Sequence, residues 1–157
     1  MVGRIDPGGA AAAQTDAISK QLDELVKITE DLRPIWPEVG RAFGERQDEI
    51  FRTGSRGRWA PLAASTLIKK AGTSISPSSI LVHSGLLKDA ASNANPINAR
   101  QQSVEFGVPA GDPSRVYARY HIKGNGVPQR NPLPKFTPTE RSTLIKIIRR
   151  RIGEVLD

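Results

Sequence analysis

The amino-acid sequence predicts one α+β domain with two N-terminal helices, a small antiparallel sheet and a long C-terminal amphipathic helix. Apolar residues recur at helical spacing before Pro34, and apolar and polar residues alternate from Val104 to Val108. Near the C-terminus, a helix-capping sequence precedes a further set of apolar residues at helical spacing. The length of 157 residues is that of one ordinary domain.

The first predicted helix begins at Thr15 and Asp16, which are both suited to the N-cap position. The residues that follow recur at spacings of three and four, so they share one face of a helix. They are Ile18, Leu22, Leu25, Thr29 and Leu32. Residues 1–13 are rich in Gly and Ala and lack core-forming side chains, so we expect an arm that is flexible or docked on a partner. Residues 14–157 then form the single domain.

Two prolines separate the first helix from a second one. Pro34 ends the first helix because proline lacks an amide hydrogen and clashes with the preceding turn. Pro37 suits the first turn of the next helix, which we expect to end near Gly54. Gly40 and Gly44 each weaken that helix by about 1 kcal/mol relative to alanine. Because they are spaced i and i+4, they would also let another backbone approach closely.

The middle of the chain predicts loops and short elements. Trp59 is the large aromatic anchor of a loop over residues 53–61, and a short helix is expected after Ser65. An Ile-Leu-Val run at residues 80–82 is a candidate strand start. The alternation at residues 104–108 predicts one strand, with a hairpin as the alternative. Residues 123–136 form a long irregular loop of the kind that is normally functional or mobile.

The last helix has the clearest start signal in the sequence. Residues 137–140 read Thr-Pro-Thr-Glu, which matches a capping box with proline in the first helical position. The apolar face that follows consists of Leu144, Ile147, Ile148, Ile152 and Val155. The consecutive Arg149, Arg150 and Arg151 lie near the C-terminus, where the helix dipole favours cations.

Charge is unevenly distributed along the chain, which carries a net charge of +7. Residues 1–51 contain six basic and ten acidic residues, a net charge of −4, whereas residues 52–157 contain seventeen basic and six acidic residues, a net charge of +11. Complementary halves suit head-to-tail stacking of identical subunits, and the basic half equally suits contact with nucleic acid. The simpler alternative is a solvated surface with excess Lys and Arg. No apolar run is long enough to span a membrane, so no membrane partner is expected.

Motifs for enzymatic chemistry are weak throughout the sequence. The chain has no cysteine, which excludes disulfides and thiolate chemistry and fits assembly in a reducing cytoplasm. His83 and His121 are the two histidines, and neither has a metal-binding spacing to a partner. Ser84 follows His83 directly, but adjacent residues seldom reach the geometry of a catalytic triad. We therefore predict no catalytic, cofactor-binding or metal-binding residues, no cofactor, and a protein that is not an enzyme.

An ordered set of short motifs goes beyond composition. The motifs are Gly-Arg-Trp-Ala-Pro-Leu at 57–62, Ile-Leu-Val-His-Ser-Gly-Leu-Leu at 80–87, Val-Glu-Phe-Gly at 104–107, Tyr-Ala-Arg-Tyr-His-Ile-Lys-Gly at 117–124 and Asn-Pro-Leu-Pro at 131–134. In this order, and followed by a terminal helix, they resemble the phage virion morphogenesis family, the Mu-like tail completion and neck proteins. The resemblance covers residues 39–156. It departs from the family at residues 131–133, where relatives tend to carry Arg-Pro-Phe.

The resemblance implies a structural subunit at the head–tail junction of a phage particle, a neck, tail completion or tail terminator protein. Copies would form a homo-oligomeric ring that joins or completes the tail, lets DNA pass and contacts other neck, connector and tail proteins. Such a protein is assembled in the host cytoplasm and resides in the virion. The alternative function is a basic accessory protein that binds nucleic acid non-specifically.

Two sets of residues follow from this hypothesis. The motif residues are expected to have architectural roles, such as loop anchoring, backbone freedom at glycine and hydrogen bonding to the long loop. They are Trp59, Leu62, Gly85, Leu86, Gly107, Tyr117 and His121. Partner contacts are expected in the arm, the long loop and the last helix. Candidates there are Lys123, Arg130, Pro132, Pro134, Arg149, Arg150 and Arg151.

Overall fold

The structure, a computed structural model, describes residues 7–74 and 79–154. Within those ranges it is mostly helical, with six α-helices and one two-stranded antiparallel sheet, which is consistent with the predicted α+β class. The helices are α1 (Pro7–Glu30), α2 (Trp36–Gly57), α3 (Ala64–Ala71), α4 (Leu86–Ala91), α5 (Ser114–Lys123) and α6 (Pro138–Gly153). The strands are β1 (Asn98–Ala99) and β2 (Val104–Glu105).

Helix α1 begins earlier than the sequence predicted. Its first residue is Pro7, so residues 7–13 of the expected arm are helical and the Thr15–Asp16 position is not the helix start. The physical reason is that proline fits the first turn and the alanines after it are the strongest helix formers. Residues 1–6 of the expected arm lie outside the described residues.

The two-proline junction has the predicted form. A short 3₁₀ helix (Arg33–Ile35) follows α1, and α2 then begins at Trp36 with Pro37 in its first turn. The regular helix ends where predicted, because Gly54 has a φ of 59° and the two residues after it are also left-handed. This turn brings the amide of Trp59 within 3.0 Å of the Gly54 carbonyl oxygen.

Gly40 and Gly44 allow the close backbone approach that their spacing predicted. A Cβ atom at Gly40 would lie 2.0 Å from the carbonyl oxygen of Ala94, and one at Gly44 would lie 2.8 Å from that of Ser92. Both glycines are buried. The segment after α4 therefore crosses α2 at a distance that only glycine permits.

The sheet is shorter than the sequence predicted. Only Asn98 and Ala99 pair with Glu105 and Val104, and the strand does not continue to residue 108. Gly107 has a φ of 137°, which takes the chain out of the extended conformation. The prediction of a strand at residues 80–82 is wrong, since Ile80 and Leu81 lie in a turn and Val82 belongs to no strand.

Helix α2 connects two hydrophobic clusters. The first cluster surrounds Ile35, Trp36 and Val39, with half-buried side chains from α1, β2 and α6 packed against it. The second contains Ile50 and Phe51 of α2 together with residues of α4 and α5. Val39 and Ile50 are eleven residues apart, or about 16 Å along a helix axis, so the clusters lie at the two ends of α2.

Helix α6 begins with the predicted capping box. The Thr137 hydroxyl accepts a hydrogen bond from the Glu140 amide, and the Glu140 carboxylate accepts one from the Thr137 amide at 2.7 Å. Among the described residues of α6 none is fully buried. Leu144, Ile147 and Ile148 are half-buried against the first cluster.

Candidate binding cleft

A cleft of about 550 Å³ lies between α3, α4 and α5. Its walls are mainly apolar, with cationic side chains at several points. The lining residues are Leu62, Ala63, Thr66, Lys69, Lys70, Thr73, Leu81, Val82, His83, Ser84, Gly85, Leu86, Leu87, Ser114, Tyr117, His121, Val127, Pro128 and Arg130. An apolar concavity with a few polar groups is the usual form of a binding site.

Most motif residues of the resemblance converge on this cleft. Leu62, Gly85, Leu86, Tyr117 and His121 all line it, although they are spread over sixty residues of sequence. Each was expected to have an architectural role at its own position in the chain. In the structure these five residues also line one common surface.

Gly85 sets the local geometry of one wall. It is the N-cap of α4 and has a φ of 86°, in the left-handed region that glycine adopts without strain. This turn starts α4 so that Leu87 is buried in the second cluster while the neighbouring Leu86 is 61% exposed. Tyr117 is 62% exposed on the opposite wall. The rim of the cleft therefore presents two large apolar side chains to solvent.

Lys70 lies in the cleft wall and is buried. Its ammonium group donates hydrogen bonds to the carbonyl oxygens of Ser79 and Val82, the latter at 2.5 Å. Burial lowers the pKa of Lys70 from its usual value. No sequence pattern distinguishes Lys70 from the exposed Lys69 beside it, so sequence reasoning missed this residue.

Arg130 was expected to contact a partner, and the structure corrects this expectation. Its side chain is buried and donates to the carbonyl oxygens of Ala60 and Pro61 at 2.8 and 2.7 Å. Its amide donates to the His121 carbonyl oxygen at 2.9 Å. The guanidinium fork thus ties the long loop to the segment before α3, because the two carbonyls accept hydrogen bonds from the buried guanidinium.

Pro132 is corrected in the same way. It is fully buried, and its carbonyl oxygen accepts a hydrogen bond from the buried Gln47 side chain at 3.3 Å. Pro134 is half-buried, and its carbonyl oxygen accepts from Arg46 at 2.9 Å. The second half of the long loop is therefore held against α2. Lys123, at the end of α5, is exposed as expected.

Two of the three consecutive arginines form ion pairs within the chain. Arg150 and Arg151 both contact the carboxylate of Glu38 on α2, and the Arg151 Nε atom lies 2.9 Å from Glu38 Oε2. Both also pair with Glu154 on their own helix. Arg149 is exposed and has no ion-pair partner among residues 7–74 and 79–154. Of this cluster, Arg149 is thus the residue that leaves its charge free at the surface.

The two motif residues outside the cleft stabilise the core behind it. Trp59 is buried and packs edge-on against Phe51, with ring centroids 5.4 Å apart. Its indole nitrogen donates to the Asn131 carbonyl oxygen at 3.1 Å, which confirms that Trp59 anchors its loop to the core. Gly107 is buried, and a Cβ there would lie 3.3 Å from Leu133.

The two histidines both line the cleft, His83 exposed and His121 half-buried. Burial and the nearby Arg130 guanidinium hold the pKa of His121 below its usual value. Ser114, the buried serine of the cleft, donates its hydroxyl to Asp112 at 2.6 Å, and this contact shapes the start of α5. Among the described residues, no hydrogen bond joins an imidazole ring to a serine hydroxyl.

Comparison with family models, curated proteins and solved structures finds no match for this chain. Within the described part of the chain, no group of three or more acidic or histidine side chains is placed to hold a metal ion. No helix in those same ranges has both the length and the apolar character that a membrane span requires.

Proposed function

We propose that the chain is a non-enzymatic structural subunit of a phage particle, acting as a ring at the head–tail junction. One observation carries the proposal: five motif residues on which the resemblance rests line a single apolar cleft. Two of them, Leu86 and Tyr117, are more than 60% exposed. Large apolar side chains grouped at the surface mark sites that a partner covers.

The proposal extends to the last helix. The half-buried Leu144, Ile147 and Ile148 support an amphipathic α6 that faces the first cluster. The opposite side carries exposed cations, among them Lys146 and Arg149. A cationic outer face suits a subunit that DNA passes during assembly or ejection. Contacts between cations and the phosphate backbone do not depend on the DNA sequence.

A second function is favoured by the composition of α5. This helix exposes Arg115, Arg119 and Lys123 together with Tyr120. Cations bind phosphates and an exposed aromatic ring stacks on bases, so α5 also suits an accessory protein that binds nucleic acid non-specifically. The affinity of such a protein falls steeply as the salt concentration rises. Full-strength binding at both low and high salt would exclude this function.

The test of the proposed function is a deletion of the gene in an inducible prophage that encodes it. We expect DNA-filled heads and separate tails in electron micrographs, and joined particles after complementation with the intact gene. Mass spectrometry of purified virions should detect the protein in particles from the complemented strain. Normal joined particles from the deletion strain would refute the proposal. A protein that is strictly monomeric and absent from the virions of the complemented strain would also refute it.

A further inference from the structure

Helix α1 exposes an apolar stripe that the described part of its own chain does not cover. Ile18, Leu22 and Val26 are spaced one helical turn apart and are each more than half exposed. The later residues Ile28 and Leu32 instead pack into the first cluster. A single helix in water is only marginally stable, and its stability in proteins comes mostly from packing of the apolar face. The stripe therefore needs a partner.

The charges of α1 show what kind of partner fits. From Asp16 to Glu30 the helix carries four carboxylates and two lysines. None of those four carboxylates has an ion-pair partner among the described residues. Three of the four acidic residues of α2 differ, since Glu38, Asp48 and Glu49 are paired within the chain, and Glu45 is the exception among the described ion pairs. The unpaired negative charge of the N-terminal half is thus concentrated on α1.

The cleft has the complementary character. Its lining contains the cations Lys69, Lys70 and Arg130 and no carboxylate, and the exposed Lys69 is the one whose charge is not bound to carbonyls of the described chain. Its rim exposes Leu86 and Tyr117, and its apolar lining is continuous with the second cluster through Leu87. An acidic helix with an apolar stripe matches such a groove in both respects.

The helix must come from another copy, because Ile18, Leu22 and Val26 are exposed in this structure and none of them lines the cleft of its own chain. The end of α1 packs into the cluster at the start of α2, whereas the cleft borders the cluster at the end of α2. We infer that α1 of one copy docks in the α3–α4–α5 cleft of the next copy. The contact is heterologous, joining two different surfaces, and such contacts repeat into rings or open chains.

This inference deepens the proposed ring by naming the contact that would build it. It is tested with two double variants of the full chain. One variant, Ile18→Glu with Leu22→Glu, places two carboxylates in the apolar stripe of α1 and leaves the cleft unchanged. The other, Leu86→Glu with Tyr117→Glu, spoils the rim and leaves α1 intact. Ile145→Glu is the matched control, because Ile145 is an exposed apolar residue of α6 outside both surfaces.

The readout is molar mass by light scattering across a concentration series, with circular dichroism to verify folding. We expect each double variant to weaken self-association at least about tenfold, since a carboxylate would be buried in an apolar contact. The control should assemble like the native chain. An equimolar mixture of the two variants should form a dimer and nothing larger, because one intact stripe meets one intact cleft.

Other outcomes overturn the inference. If the cleft variant assembles like the native chain, α1 pairs elsewhere, for example with α1 of another copy. If the mixture stays monomeric while the native chain assembles, the two surfaces do not meet. A native chain that is monomeric at every concentration also refutes the contact. The proposed function is judged separately by particle morphology, so joined particles that require the protein would support that function even where this contact fails.

Discussion

Arg46 and Glu140 form an ion pair that joins the middle of α2 to the first turn of α6, with Arg46 Nε 3.0 Å from Glu140 Oε1. Glu140 is also the capping residue of α6 and contacts Arg56 at 2.8 Å. Arg46 in addition lies over the Phe136 ring, 4.3 Å from its centroid. One carboxylate therefore sets both the start of the last helix and its position on α2.

The charge of Glu140 is expected to make stability depend on acid. Burial acts to raise its pKa, but the Thr137 amide and the Arg46 guanidinium outweigh burial and lower the pKa to about 2. Because the folded pKa is below the usual value of 4.5, the stabilisation is complete above about pH 4.5 and is lost as pH falls towards 2. We expect Glu140→Gln to cost up to about 3 kcal/mol of unfolding free energy at pH 7, and progressively less in acid.

Urea denaturation at pH 7, 4 and 3 measures this difference. Glu49→Gln is the control, since Glu49 pairs with Arg52 where both side chains are exposed and the pair contributes little. An acid dependence of Glu140→Gln identical to that of the native chain would contradict the assignment.

The crossing of α2 by residues 92–94 predicts a steric effect at Gly40. Gly40→Ala places a methyl group against the Ala94 carbonyl oxygen, so the two segments must separate. We expect a loss of about 1–3 kcal/mol of unfolding free energy, typical of overpacking. Gly153→Ala in α6 meets no atom within 4 Å and should be neutral or slightly stabilising. Equal thermal stability of the two variants would show that the crossing is looser than described.

Arg130 should contribute to stability although its sequence context suggested a surface role. Arg130→Lys keeps the charge but lacks the planar fork that reaches the carbonyls of both Ala60 and Pro61. We expect a loss of about 1–3 kcal/mol in denaturant unfolding, the cost of a buried polar group left without its partner. Lys123→Ala, at an exposed position in the same region, should have little effect. Similar unfolding free energies for the two variants would contradict the buried, hydrogen-bonded position of the Arg130 side chain.

Five of the motif residues on which the resemblance rests line the cleft, and neither the motifs nor the fold alone shows this. The sequence motifs gave an order of residues, from Leu62 to His121, without indicating that they meet. Their convergence requires α4 and α5 to pack at the end of α2 and α3 to line the same cleft. Lys70 had no distinguishing motif, and only its position against the carbonyls of Ser79 and Val82 separates it from Lys69.

The amino-acid sequence by itself determined the break between α1 and α2, the end of the regular part of α2 and the start of α6. Pro34, Pro37, Gly54 and the Thr137 cap act through steric and hydrogen-bonding effects within one or two turns, so their consequences can be read locally. Tertiary structure alone decided whether the charge of Arg130 is buried and whether Arg150 is paired. Burial and ion pairing depend on which segments, distant in the sequence, come into contact in the fold. A local sequence pattern does not determine those contacts.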